Sequence, residues 1–237
     1  MSGQRDVDYD LYYWQLPFRG QFIRAIMAYA RKSWTEHDDE ATRQLTASAP
    51  GDQPVPFMGP PVLIDKAAGL TLSQMPAITL YLGETCGLLP DDPRSKALTL
   101  KIVNDANDVI DELTLDGGRE MWTKDKWDDF VPRLQRWLTI WETTGERNGL
   151  TAESGFLLGT EAAGIADIVT SILWSTMSDR FPVIARLVAE TAPRTHGLSQ
   201  RMQSVPSLAR LKKQAFEDYG KGYCGGEIEK SLRAVAG

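Results

Sequence analysis

Few residues of this chain combine a reactive type with a useful spacing. Two cysteines, Cys86 and Cys224, and two histidines, His37 and His196, are scattered over 237 residues. There is no CxxC pair and no HExxH string, so spacing argues against a zinc site. Two cysteines also make no disulfide framework. The loop Tyr13–Gln21 says more, because it contains neither Ser nor Cys. That rules out a thioredoxin-like CxxC redox site there and leaves two tyrosines, Tyr12 and Tyr13, as candidate donors, with Arg19 further on. A tyrosine hydroxyl held in place donates a hydrogen bond to a developing anion, and an arginine pairs with a carboxylate. The structural alternatives are a core strand aromatic for Tyr13 and a solvated loop arginine for Arg19.

These residues need elements to position them. The aromatic run Tyr9–Trp14 reads as a strand with Tyr9, Leu11 and Tyr13 on one face. Beyond the loop, Phe22, Ile23, Ile26, Met27 and Ala30 take up helical spacing from Gln21. The polar stretch Ser33–Pro60 predicts a weak strand near Ser33–Glu36, then a loop with at most one short helix. Pro61–Asp65 reads as a strand, Ala67–Gly69 as its turn, and Leu70–Leu72 as the second strand of a hairpin. Ser73 or Gln74 opens a helix whose first turn carries Pro76, where a missing N–H costs little.

After the Gly- and Pro-rich linker Gly87–Pro93, the pattern is almost all helical. One stripe runs from Leu98 to Leu113 and ends at Gly117-Gly118. A second runs from Trp127 to Trp141, with Pro132 predicting a kink or a helix start just before it. A third runs from Ile165 to Trp174, and shorter helices follow at Phe181–Ala189, Gly197–Gln203 and Pro206–Phe216. The tail to Gly237 is weakly patterned. Hence the expected architecture is a mixed α/β module over residues 1–88 and an all-helical module over residues 89–237.

Composition excludes several classes of function. The net charge is −6 and no basic tail stands out, which argues against a nucleic-acid partner. No apolar run approaches the roughly 20 residues of a membrane span. The start Met1–Asp10 is polar, without a signal-peptide core, so a cytoplasmic protein is expected.

Four motifs in this order resemble the glutathione transferase superfamily over nearly the whole chain, most closely its bacterial cytosolic members. Gly59-Pro60-Pro61-Val62-Leu63-Ile64-Asp65 is similar to the loop before the family's third strand. There a proline after a cis peptide bond presents backbone groups to the cysteinyl part of glutathione. Pro61 matches that proline, and cis bonds are essentially a proline phenomenon. Pro60 has no N–H, so only its carbonyl is left to bind. Leu72-Ser73-Gln74-Met75-Pro76-Ala77-Ile78 resembles the family's helix-start signature, where N–H groups and the helix dipole hold the γ-glutamyl carboxylate. Gln74 matches the polar residue, whereas Met75 stands where Ser or Thr is usual. Gly164-Ile165-Ala166-Asp167 is similar to the helical domain's capping box, with Asp167 in a structural role and the N-cap hydroxyl lost. Pro206–Arg210 resembles the last-helix pattern.

The resemblance implies an α/β thioredoxin-like N-terminal domain plus an all-α C-terminal helical domain. It implies glutathione as cosubstrate, a small hydrophobic electrophile bound between the domains, no metal, a homodimer and a role in detoxification. Tyr13 is then the thiolate donor, as in the tyrosine classes. Trp14 matches the tryptophan of the mu pair, and Arg19 pairs with a glutathione carboxylate although it stands two residues later than in those classes. An ungapped reading against serine and cysteine members instead puts Pro17 or Phe18 at the donor position and leaves the task to the Arg19–Gln21 backbone amides. Candidate walls of the electrophile pocket are Trp122, Trp127 and the loop Pro17–Phe18. Two alternatives to conjugation are a glutathione-dependent peroxidase or reductase, and a non-catalytic glutathione-binding stress protein.

Overall fold

A computed structural model describes residues 7–236. The first six residues of the polar start Met1–Asp10 lie outside it. Alternation of large side chains in Tyr9-Asp-Leu-Tyr12 forms strand β1, which buries Tyr9 and Leu11 on one face. Helix α1 covers Phe18–Tyr29 and begins three residues earlier than the apolar stripe indicated. Pro17 is the reason. Its ring sets φ at −67°, already helical, and its carbonyl accepts the Gln21 N–H at 2.6 Å.

Strand β2, Trp34–His37, lies parallel to β1, and helix α2, Asp39–Ala47, follows it. The Asp38 carboxylate caps α2 by accepting from the Ala41 N–H at 2.8 Å. Strands β3, Val62–Asp65, and β4, Leu70–Ser73, form the expected hairpin, with Gly69 at a positive φ in its turn. Sheet order is β2-β1-β3-β4, with β1 and β3 antiparallel. Helix α3, Met75–Thr85, closes this part of the chain, with Pro76 in its first turn. This is the thioredoxin-like arrangement expected.

The rest is helical: α4 Pro93–Leu113, α5 Leu115–Gly118, α6 Lys124–Arg147, α7 Ile165–Ser178, α8 Pro182–Thr191, α9 Pro193–Gln203, α10 Pro206–Tyr219 and α11 Gly226–Ala236. Helix α4 stops short of the double glycine because Leu115 and Asp116 already have positive φ. The Trp122 indole N–H then satisfies the Leu113 carbonyl at 3.0 Å. Helix α6 starts two turns before Pro132 and runs through it. The weakly patterned tail holds α11, whose Ile228, Leu232 and Ala236 share one buried stripe. Asp167 caps α7 as expected, accepting from the Gly164 and Leu157 N–H groups at 3.0 and 2.8 Å. Helix α7 is buried along almost its whole length, and a single connected core joins it to α1, α4 and the sheet. Among the described residues no helix is long and apolar enough to cross a membrane.

Candidate functional site

Strand register brings the sequence-predicted residues to one edge of the sheet. Tyr12 stands opposite Val62, and Val62 opposite Ser73. One step beyond each of these lie Tyr13, Pro61 and Gln74. The hairpin and its antiparallel partner therefore assemble three segments that are far apart in the chain.

Tyr13 is buried on the Tyr9/Leu11 face. Its hydroxyl oxygen accepts the backbone N–H of Arg19 at 3.0 Å, in the first turn of α1. Gly20 makes room for the ring, since a Cβ there would meet Tyr13 Cδ1 at 2.3 Å. Burial pushes the phenol up to about 12, partly opposed by the Arg19 charge and the Arg19 N–H. The group is thus a hydrogen-bond donor at neutral pH and no base. With one lone pair engaged by Arg19, the hydroxyl proton is free for an anion.

The loop before α1 is held from below by Arg24, which is 2% exposed. Its guanidinium donates to the carbonyls of Leu16 (2.8 Å) and Trp14 (3.3 Å) and pairs with Glu36 at 2.5 Å. Trp14 is half-buried against the core and lines, with Tyr13, Arg19 and Pro60, a cavity of about 210 Å³. Arg19 itself reaches the helical part, where its guanidinium meets Asp111 of α4 at 2.9 Å. It is neither a free loop arginine nor an unengaged one.

Pro60–Pro61 has the expected cis peptide. Gln74 adopts φ +73° and ψ +121°, a conformation rare outside glycine, immediately before α3. It contributes no side-chain cap, so the first-turn amides of Met75 and Ala77 have no intrahelical acceptor. Met75 is only 1% exposed, and its Sδ accepts from the Thr79 hydroxyl. Its side chain therefore faces the core, and only its backbone N–H is placed at the helix opening.

The expected pocket walls need correction. Trp122 and Trp127 pack in an aromatic cluster with Phe130, with ring centroids 5.1–5.8 Å apart. They are core, because the turn after α4 folds them inward. Pro17 does not line the cavity beside Tyr13, whereas Phe18 does. Six lining residues escaped sequence reading as site residues: Leu16, Thr114, Gly117, Gly118, Cys224 and Ile228. The last two sit in the weakly patterned tail, which the Glu229 carboxylate folds back by accepting the Tyr223, Cys224 and Gly225 N–H groups. Burial pushes the Cys224 thiol up to about 12. Among the described residues no group of three or more His, Cys, Asp or Glu side chains could hold a metal ion.

Comparison with known proteins adds the family. A family model described as glutathione S-transferase, C-terminal domain, matches residues 98–235, more than half of the chain. No curated protein matches. Among solved structures, the glutathione S-transferase of Ascaris lumbricoides is 20% identical with a TM-score of 0.70, covering 88% of this chain and 97% of that one. A monomeric glutathione S-transferase of the hookworm Necator americanus is 19% identical, TM-score 0.70, with 88% and 97% covered. Prostaglandin synthase D of Nilaparvata lugens is 18% identical, TM-score 0.67, with 87% and 98% covered. At these identities the likeness is one of fold.

Proposed function

The chain belongs to the glutathione S-transferase family, and we propose that it binds glutathione at the sheet edge formed by Tyr13, Pro61 and Gln74 and transfers it to a small hydrophobic electrophile. The observation that carries this reading is the Tyr13 hydroxyl, which is buried, protonated and already engaged as acceptor by the Arg19 N–H. Its free proton is available to a sulfur lying in the adjacent cavity.

A free thiol with pKa about 8.5 is only a few per cent ionised at pH 7. Lowering it by about two units makes the thiolate the majority species, an effect of roughly 2.7 kcal/mol. The Tyr13 O–H and the amino end of α1 together favour the anion. The thiol proton leaves to solvent. The sulfur lone pair then forms the new bond to the electrophilic carbon, and the leaving group departs with its bonding electrons.

In this reading, the Pro60 carbonyl and the Pro61 turn hold the cysteinyl moiety. The Met75 N–H and the Gln74 amide hold the γ-glutamyl end at the positive end of α3. Trp14 packs beside the ligand, and Arg19 divides its charge between Asp111 and the cavity. Residues 1–88 then act as the glutathione-binding domain and residues 89–237 supply the electrophile pocket. A cosubstrate that must stay reduced suits the cytoplasm. Homodimerisation belongs to the same proposal. Leu80 on α3 and Leu98 on α4 are exposed apolar side chains available to an interface, and light scattering checks it.

Tyr13→Phe tests the reading. Conjugation of glutathione with an activated aryl halide should fall about 10-fold or more, the loss of one good thiolate donor. Glutathione affinity should change little, and the ultraviolet absorbance of the bound thiolate should appear at higher pH. An unchanged rate moves the task to the Arg19–Gln21 backbone amides. Glutathione binding without turnover against aryl halides, peroxides or mixed disulfides identifies a binding protein instead. The Pro60 and Met75 departures favour that second reading, because each removes one donor to the ligand.

A further inference from the structure

A serine hydroxyl stands among uncompensated cations where α10 begins. Ser207 and Arg210, from the first turns of α10, share a cavity of about 410 Å³ with Arg31 and Lys32, which follow the end of α1. Among the described residues no carboxylate lines that cavity. Other cations of α10 are neutralised: Lys212 pairs with Asp179 at 2.7 Å and Lys213 with Glu217 at 3.6 Å. Arg31, Lys32 and Arg210 form no ion pair among the described residues. In a chain of net charge −6 this is a local exception.

Two nearby carboxylates are committed elsewhere. Asp8 feels the Lys32 charge, but its oxygen is taken by the Ser33 N–H and hydroxyl at 2.8 and 2.9 Å. Glu36 is held by Arg24 and by the Trp34 Nε1–H at 2.9 Å. Nor is the serine oxygen spent. Ser204, three residues earlier, donates its hydroxyl to the Arg201 carbonyl at 2.6 Å. The half-buried Ser207 makes no such side-chain bond among the described residues.

Two backbone features add to the charge. Helix α10 opens behind Val205 without a side-chain cap, so the Ser207 and Leu208 N–H groups have no intrahelical acceptor and the positive end of the helix lies beside the serine. Helix α1 ends with the Lys32 N–H donating to the Met27 carbonyl at 2.8 Å, and Arg31 occupies the left-handed position of that turn at φ +57°. Glycine takes this conformation without cost. An arginine stands there instead, and its charge joins those of Lys32 and Arg210.

We propose that Ser207 is a phosphorylation site whose phosphate is received by Arg31, Lys32 and Arg210. The Ser207 Oγ attacks the terminal phosphorus of a nucleoside triphosphate held by a protein kinase. The bond from that phosphorus to the bridging oxygen breaks, the nucleoside diphosphate leaves with the bonding electrons, and the serine proton passes to the kinase's base. A charge of about −1.5 to −2 then sits at the amino end of α10 among three cations, each able to give a charge-assisted hydrogen bond. Arg31 and Lys32 follow α1 whereas Arg210 belongs to α10, so the phosphate ties the two helices together. A phosphate on Ser204 would instead meet the negative end of α9, where Ser204 is the C-cap. The proposal stands independently of the glutathione reading.

The test uses the full chain with phosphoserine incorporated at position 207 by codon suppression. Phosphorus NMR follows its second ionisation, which lies near pH 6 for an unperturbed phosphoserine. In the folded chain it should fall by about half a unit or more, because the cations favour the dianion. In the same chain unfolded in urea, and in the folded chain carrying Arg31→Glu with Arg210→Glu, it should return to about 6 or above. Arg31→Gly removes one cation and relieves the left-handed backbone, so a smaller shift there cannot be assigned to misfolding. The thermal midpoint of the phosphorylated chain should rise by about 2 °C or more over the unmodified chain, and phosphoserine at position 204 should give no such rise. Mass spectrometry of the protein isolated from its own cells should find the added phosphate at Ser207. An unshifted ionisation at position 207 overturns the proposal, as does a lowered midpoint. A native protein whose Ser207 stays unmodified through growth and starvation overturns it as well.

Discussion

The Arg19 guanidinium lies 2.9 Å from the Asp111 carboxylate and so ties the first turn of α1 to the last turns of α4. The same residue donates its backbone N–H to the Tyr13 hydroxyl. Backbone and side chain of Arg19 thus face the proposed thiolate position and the helical part at once. In the proposed complex Asp111 would set how much of the positive charge the sulfur feels.

Asp111→Asn should therefore lower the pKa of bound glutathione by about half a unit or less, since the Asp111 side chain is 66% exposed and its field is screened by solvent. The rising limb of the pH–rate profile moves to lower pH. Stability changes by less than about 1 kcal/mol, as for other exposed pairs. A profile that moves to higher pH would show that the pair supports the thiolate rather than competing with it.

Gly20→Ala probes the seat of Tyr13. Alanine is ordinarily about 1 kcal/mol better than glycine inside a helix. Here its Cβ would lie 2.3 Å from Tyr13 Cδ1 and 2.9 Å from Arg24 Nη1. Relief of that overlap costs about 1–3 kcal/mol and displaces the ring. Conjugation should drop about 10-fold with unfolding stability lowered only modestly, and chemical denaturation alongside kinetics separates the two effects.

Met75→Ser has two opposed consequences. A hydroxyl at the opening of α3 gives the γ-glutamyl carboxylate one more donor, which should tighten glutathione binding by about 1 kcal/mol. Loss of a side chain that is 1% exposed leaves a cavity and should destabilise the fold by roughly 2–5 kcal/mol. Met75→Ala shares the cavity but lacks the donor, so calorimetry should rank it below the serine variant in affinity. Equal affinity in both would mean that position 75 does not meet the carboxylate.

Alkaline stability follows from the buried phenols. Tyr13 is raised by burial from 10.0 to about 12, and burial raises Tyr223 well above 10.0. In the unfolded chain both groups ionise near pH 10. Their contribution is complete below that pH and is lost as pH rises through the raised folded values, because the unfolded state then releases protons that the folded state retains. The urea midpoint should fall between pH 10 and 12. Tyr13→Phe, which removes one such group, should show a shallower fall.

Local patterns alone carried much of this molecule. Alternation in Tyr9–Tyr12, the hairpin punctuation around Gly69, Pro76 in a first helical turn and the 3.6-residue stripes of α4, α6 and α7 are short-range signals, and each element formed where its signal lay. The Tyr13 face was likewise readable from strand alternation, whereas the Pro60–Pro61 cis bond and the Asp167 cap were implied by the resemblance to the glutathione transferases, carried by motifs a few residues long. Other features depended on long-range contact. For Arg19 the sequence offers a carboxylate-pairing role or a solvated loop arginine, and neither reading contains Asp111, which α4 brings to its guanidinium from 92 residues away. Met75 matched a ligand-facing position, but core packing turned its side chain inward. Trp122 and Trp127 had the composition of pocket walls, yet the turn after α4 packed them with Phe130. Helix α11 carries no strong local signal, and the Glu229 carboxylate, with the apolar stripe from Ile228 to Ala236, folds it against the rest of the chain and puts Cys224 beside Tyr13. Periodicity says which face of an element is apolar. Which other element covers that face, and which charge finds which partner, is settled only when distant segments compete for the same space.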